Sequence, residues 1–457
     1  MPPIHYYSTN RILDGVSGVT PFKGRVSFRE ALLRGQAPDE GLFMPETIPL
    51  LPLEAIAALK GKPYAEAALL VADAYLKDDV SPETLRQVVE DAYPFEVPLE
   101  RVRDGLSLMR LDQGPTASFK DFAARMMSRL MGILKPEDQH LHVLVATSGD
   151  TGSAVGEAFK GVPGMDVTIL YPRLEVSGRQ KKQLDAIGGN VRAVCVDGKF
   201  DDCQNLVKEA FADPALVGLN LTSANSINFG RILPQMVYYV YAYAQLSEPG
   251  AEIVFSVPSG NFGDALGCEY ARRMGLPVRR LVMPTNENDE FPRYLETGVY
   301  RKVSPSRACL SNAMNVGHPS NLARFFDLYG GNVDRNGRVF VYPDIEEMRR
   351  RIWAVSIDDQ ETKKTLGRVY ADYGVLLEPH GAVGWRGLEL YRERCGDKTP
   401  GVVLETAHPA KFPNEIKELL GFEPELPRSM QDIDRREGTA VELPAVYARL
   451  KAYLLGR

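Results

Sequence analysis

The sequence predicts an α/β protein in which two open parallel sheets, each covered by helices, follow a largely helical N-terminal region. Three observations carry this expectation. Short β-branched runs alternate with amphipathic stretches from about residue 141 to about residue 420. Two of those runs empty into glycine-rich turns that open helices. The first 98 residues hold helix-compatible segments without a comparable strand series. A chain of 457 residues has material for two or three compact units of roughly 150 residues each.

Taken in order, residues 53–59, 65–76 and 82–92 space apolar side chains helically between Gly and Pro punctuation, so 1–98 is expected to form a mostly helical N-terminal domain. Strands are expected at 141–146, 167–171, 191–196, 253–257 and 278–283, with helices between them. A helix over 381–394 precedes a further strand at 402–405. Residues 99–427 are therefore expected to form a core of two α/β domains with a site in the cleft between them. The remaining 428–457 reads as a peripheral segment ending in a helix over 446–455. The chain has no internal repeat and no low-complexity tract.

Composition narrows the function classes. Lys and Arg total 54 against 60 Asp and Glu, a formal net charge of -6, and basic pairs such as Lys181 and Lys182 are isolated, so nucleic acid is not an expected partner. Five cysteines without a C-x-x-C pair suit a reducing compartment better than a disulfide framework and suggest no metal site. The start lacks the basic and apolar regions of a signal peptide, and no stretch approaches the roughly 18 apolar residues of a membrane span. A cytoplasmic protein without membrane contact is expected.

Two turns offer anion sites: Val-Ala-Thr-Ser-Gly-Asp-Thr-Gly at 145–152 and Val-Pro-Ser-Gly-Asn-Phe-Gly at 257–263. At each, free N–H groups and the positive end of a helix dipole meet glycines that let a ligand approach the backbone, although such turns also serve merely as connections. The P-loop, G-x-G-x-x-G, G-x-S-x-G and H-E-x-x-H patterns are absent, which removes the main nucleotide, serine hydrolase and zinc protease readings. His318, His380 and His408 offer ligand or acid/base groups, but six histidines in a chain this long are more often structural.

A third segment, Gly-Pro-Thr-Ala-Ser-Phe-Lys-Asp at 114–121, opens a helix whose apolar positions include Phe119, Phe122, Met126 and Leu130. Lys120 falls in its first turn. The dipole disfavours a cation there and the aromatic bulk desolvates it, so both effects push the amine toward its neutral, nucleophilic form. An imine-forming lysine needs that form. Asp121 alongside would oppose the shift by pairing, and a snorkelling surface lysine is the plainer alternative.

The motifs become specific in combination. Those at 114–121 and 147–152 are followed by Asn-Leu-Thr-Ser-Ala-Asn-Ser-Ile-Asn at 220–228, Ser-Gly-Asn-Phe-Gly-Asp at 259–264 and Thr-Ala-His-Pro-Ala-Lys-Phe at 406–412. Gly-Leu-Phe-Met-Pro at 41–45, Thr-Asn-x-Asn-Asp at 285–289 and Leu-Ser-Asn-Ala-Met at 310–314 add to them. The series resembles the threonine synthases of the longer form with an N-terminal domain, members of the fold type II pyridoxal phosphate (PLP) enzymes with the tryptophan synthase β-like fold. It runs from about residue 41 to about residue 420.

The resemblance implies that Lys120 carries PLP and then moves protons. It assigns Ser259, Gly260, Asn261, Phe262 and Gly263 to the cofactor phosphate, Thr406 to the pyridine nitrogen and Phe119 to the side of the ring. Ser148, Gly149, Asp150 and Thr151 would face the substrate, with Ser148 and Thr151 donating to its α-carboxylate and Asp150 orienting cofactor or amine. Lys182, Asn225, Ser226, Arg231 and Lys411 are the candidates for the substrate phosphate. The implied reaction turns O-phospho-L-homoserine and water into L-threonine and phosphate, by γ-elimination and β-addition, at the end of threonine biosynthesis, in a monomer or homodimer. Two alternatives stand beside it: a related fold type II lyase, such as a serine or threonine dehydratase or an amino-acid phospho-lyase, and a synthase-like binding protein without catalysis.

Overall fold

Each of two sheets takes three of its strands from the expected series and adds others that the sequence did not announce. The computed structural model describes residues 3–456 except 17 and 19. One sheet has five parallel strands, in the order Val441–Pro444, Val191–Asp197, Met165–Pro172, Leu141–Ala146 and Leu221–Thr222. The other has six, in the order Ile352–Ser356, Val278–Thr285, Ile253–Ser256, Gly401–Glu405, Leu106–Arg110 and Leu99–Arg103. Its last pair runs antiparallel and the rest run parallel. Helices on both faces bury the inner strands, which explains their near-continuous apolar runs: Met165–Pro172 is buried at every position but Asp166.

Because parallel strands point the same way, the turns after Leu141–Ala146, Ile253–Ser256 and Gly401–Glu405 gather at the carboxyl ends of the sheets, where α/β folds place their ligands.

The N-terminal region holds helices Phe28–Arg34, Leu53–Ala57, Tyr64–Leu76 and Pro82–Ala92, together with an antiparallel ribbon of Tyr6–Ser8 and Phe43–Pro45. Its apolar faces enter the same core as helices Lys120–Leu134 and Phe229–Leu246. Tyr64 meets the rings of Tyr93, Phe122 and Tyr241 at centroid distances of 5.0, 5.1 and 5.4 Å. Tyr93 Oη donates to the Phe122 carbonyl at 3.0 Å, and Arg125 Nε donates to the Ala92 carbonyl at 2.6 Å. The region thus buttresses the helix that begins at Lys120. The Tyr64 hydroxyl itself is buried without a partner among the described residues. Tyr64→Phe is therefore expected to leave stability unchanged or raise it by up to about 1 kcal/mol, read as the urea midpoint at constant m.

The tail differs from its expectation. Residues 428–457 do end in a helix, Tyr447–Leu454, which buries Leu450 and Leu454 in a cluster with Cys203, Leu206 and Val207. They also supply the strand Val441–Pro444, paired with Val191–Asp197. That strand is almost wholly exposed and only four residues long, too short for its alternation to stand out in the sequence. Backbone pairing, the contact of Leu443 with the buried cluster and the Arg173–Glu442 pair hold its register.

Candidate active site

Helix Gly263–Arg273 opens with Phe262 as its N-cap, at φ 62° and ψ 10°, and without a side-chain cap. A left-handed phenylalanine is uncommon, and aromatic packing against Phe291 and Phe325, at 5.0 and 6.1 Å, holds it there. The first N–H groups of the helix are therefore left for a ligand. A Cβ at Gly260 would stand 2.8 Å from the Ala313 carbonyl oxygen, so the position requires glycine. Asn261 pins the loop: its Nδ2 donates to Ser226 Oγ at 2.8 Å, and its Oδ1 accepts from the Ser320 amide at 2.5 Å.

The lysine turn is tied to the end of strand Gly401–Glu405, because the Phe119 amide donates to the Thr406 carbonyl at 2.9 Å. Lys120 begins the helix Lys120–Leu134, which has no side-chain cap, and its Nζ lies 4.2 Å from the centre of the Phe119 ring. Burial lowers the amine's pKa to about 8; Arg231 and Lys411 push the same way, while Asp150 and Asp264 oppose. Partial exposure of the residue toward the cleft limits the extent of that shift. Asp121 does not pair with Lys120. Its oxygens accept from the Thr116 amide at 2.9 Å and from Thr116 Oγ1 at 2.7 Å, which orders the turn instead.

In the 147–152 turn, Thr147 Oγ1 accepts from the amides of Gly149 and Gly152 at 2.9 and 2.8 Å. Gly149, at φ 129°, shapes the turn and its amide is directed inward. Asp150 Oδ1 accepts from Gln180 Nε2 at 2.8 Å and forms an ion pair of 2.7 Å with Lys411 Nζ. Burial would raise the carboxyl's pKa, yet Lys411 and Lys120 together outweigh it and hold the value at about 2.

A cleft of about 710 Å³ brings together Phe119, Lys120, the 259–263 loop, Thr406, Ser148, Asp150, Thr151, Asn225, Ser226 and Arg231. Two expected phosphate donors stand apart from it. Lys411 is wholly enclosed and committed to Asp150 and to the Thr116 carbonyl, 2.7 Å away. Lys182 donates to the Asp434 carbonyl at 2.8 Å, with the Asp434 carboxylate at 3.7 Å, at the surface outside the cleft. Arg231 is the contrasting case: it is buried, and its Nε and Nη1 have no partner among the described residues. Burial lowers its pKa to about 10, so it stays charged at neutral pH.

Sequence reasoning missed Gln180 and Asp264. Gln180 belongs to a capping box with Ser177, a spacing that marks the helix start but not its contact with Asp150. Asp264 follows the glycine-rich loop directly and also lines the cleft. His318 and His380 line it too, but both are engaged: His318 Nδ1 with Tyr300 Oη at 2.5 Å, His380 Nδ1 with Glu378 Oε2 at 2.5 Å.

Behind Thr406, Gly381 packs against the buried carboxyl of Glu405, where an added Cβ would lie 1.6 Å from Oε2. Gly381→Ala is expected to cost about 1–3 kcal/mol through overpacking and to displace Thr406. Thermal unfolding measures the first effect and PLP titration the second.

A family model for pyridoxal-phosphate dependent enzymes matches residues 97–406, a span that contains the lysine turn, the amide cradle and Thr406. Fold and site together define a PLP-dependent enzyme of fold type II, and the donors present suit that cofactor: an amine, a run of uncapped amides and a hydroxyl facing one cleft. Models for the N terminus and the C-terminal part of threonine synthase match residues 20–93 and 381–454. The threonine synthase of Serratia marcescens is 37% identical over 441 residues, covering 94% of this chain and 97% of its own. The crystal structure of threonine synthase from Escherichia coli superposes with a TM-score of 0.87 at 34% identity, over 99% of both chains. PLP-bound threonine synthase from Brucella melitensis gives 0.88 at 34% identity, over 99% of this chain and 98% of that one. The chain belongs to the threonine synthase family. Among the described residues no helix is long and apolar enough to cross a membrane.

Proposed function

We propose that the chain converts O-phospho-L-homoserine and water to L-threonine and phosphate. The observation that carries this substrate is Arg231, an enclosed guanidinium with two unpartnered nitrogens on the cleft wall. A dehydratase acting on an unphosphorylated amino acid has no use for such a cation. PLP, when bound, takes up the electron pair left as Cα loses its proton. Lys120 anchors it and, once released, holds and moves the protons at Cα and Cβ. Amides of residues 260–263 would bind the cofactor phosphate, the Ser259 amide being taken by the Pro284 carbonyl at 2.9 Å, and Thr406 Oγ1 would hold the pyridine nitrogen. Ser148 and Thr151 donate to the substrate's α-carboxylate. Arg231, Asn225 and Ser226 receive the γ-phosphate. Placement between the two sheets lets closure exclude water that would otherwise quench the carbanion.

Release of threonine and phosphate in equal amounts from O-phosphohomoserine tests the reading; formation of a 2-oxo acid alone would assign the chain to the dehydratases. Arg231→Gln is expected to lower kcat/KM about 10- to 100-fold, the worth of one or two hydrogen bonds to a charged group. An unchanged kcat/KM would move the phosphate elsewhere.

A further inference from the structure

Two carboxylates act on Lys120, and they are unequally free. Asp150 is committed, since Lys411 and Gln180 both claim its Oδ1. Asp264, in the first turn of helix Gly263–Arg273, lines the same cleft as Lys120. Its Oδ1 accepts from Tyr238 Oη and Tyr239 Oη, each at 2.5 Å. Its Oδ2 is buried with no partner among the described residues. An enclosed carboxylate oxygen at a cleft wall is stabilised when a donor reaches it.

We propose that Asp264 is the positioning residue for Lys120: its Oδ2 receives the lysine ammonium whenever that amine is not bonded to the cofactor. The inference rests on reading Lys120 as the reacting amine. That amine, once it has taken the Cα proton, is an ammonium in a cleft also lined by Arg231, Lys208 and Lys302, and the enclosed Lys411 adds to the repulsion. It needs an anion; Asp150 is shared with Lys411 and Gln180, whereas the Asp264 Oδ2 is unclaimed among the described residues. The remaining groups around Asp264 are Tyr238, Tyr239, Tyr64 and Cys268, all held neutral by burial. Burial raises the Asp264 carboxyl to about 6, against the pull of the two tyrosine hydroxyls and Lys120. Asp264 is therefore ionised at neutral pH and loses its hold on the amine in mild acid.

Trace acetylation of the full-length, cofactor-free chain with acetic anhydride tests this, with each lysine read by peptide mass spectrometry and exposed Lys62 as the internal reference. The Lys120 rate is expected to rise tenfold per pH unit between about pH 6 and the amine's own titration near 8, to level off above that, and to change less steeply below pH 6, because protonation of Asp264 frees the amine. Asp264→Asn keeps an acceptor for both tyrosines; it should make Lys120 about three- to tenfold more reactive at pH 7 and remove the inflection. An unbroken tenfold rise per unit in the unaltered chain overturns the proposal, as does unchanged reactivity in Asp264→Asn. The profile needs no bound PLP, so failure of borohydride to label Lys120 would strike the cofactor reading separately.

Discussion

Lys120→Ala is expected to lower threonine release from O-phosphohomoserine by at least about 10⁴-fold, because in the proposed reaction one amine both anchors the cofactor and transfers the protons. The two other lysines expected at the site do not stand ready to substitute. Lys411 is enclosed and bound to Asp150 at 2.7 Å, and Lys182 faces Asp434 outside the cleft. Steady-state assay gives the loss directly. Borohydride reduction of the PLP-loaded protein, followed by peptide mapping, should place the label on Lys120 in the parent and nowhere in the variant. A label on any other lysine would refute the assignment.

Lys411→Met carries the largest expected loss of stability, about 3–5 kcal/mol, since it strands a buried carboxylate. Both partners are enclosed, with side-chain exposures of 0% and 4%, so water cannot replace the lost cation. The pH dependence has a definite sign. Asp150 titrates at about 2 in the folded chain and near 4 when unfolded. Its contribution is thus fully present above about pH 4 and is lost as the pH falls through about 2. Urea unfolding at about pH 3 and pH 7 should show that difference in the parent chain and its collapse in Lys411→Met. Lys411→Met combined with Asp150→Asn should cost less than the sum of the single changes.

Local signals located much of the fold and the segments that line the cleft around Lys120. Strands such as Leu141–Ala146 announce themselves by β-branched runs, and the 259–263 loop and the turn before Lys120 are contiguous segments whose chemistry is readable in place. The charge pairings were not readable. Lys411 meets Thr116 across 295 positions of chain, and Lys182 meets Asp434 across 252; both look like available cations until tertiary packing commits them. Arg231 reads as any other arginine, and burial without a partner is what singles it out. Lys120 was legible because its helix position, its aromatic neighbours and its desolvation all act within one turn.

The strand Val441–Pro444 settles how the five-stranded sheet meets its surroundings. As the outermost strand, it would offer an open row of N–H and C=O groups to a second molecule. Pro444 has no N–H to offer. Glu442 is held in a bidentate clasp by Arg173 at 2.9 and 3.1 Å, setting charge along the rim. Deleting the tail after residue 440 would bare the backbone of Val191–Asp197, whose four central residues are apolar and buried. The shortened protein should self-associate edge to edge, so the final segment serves solubility as well as packing.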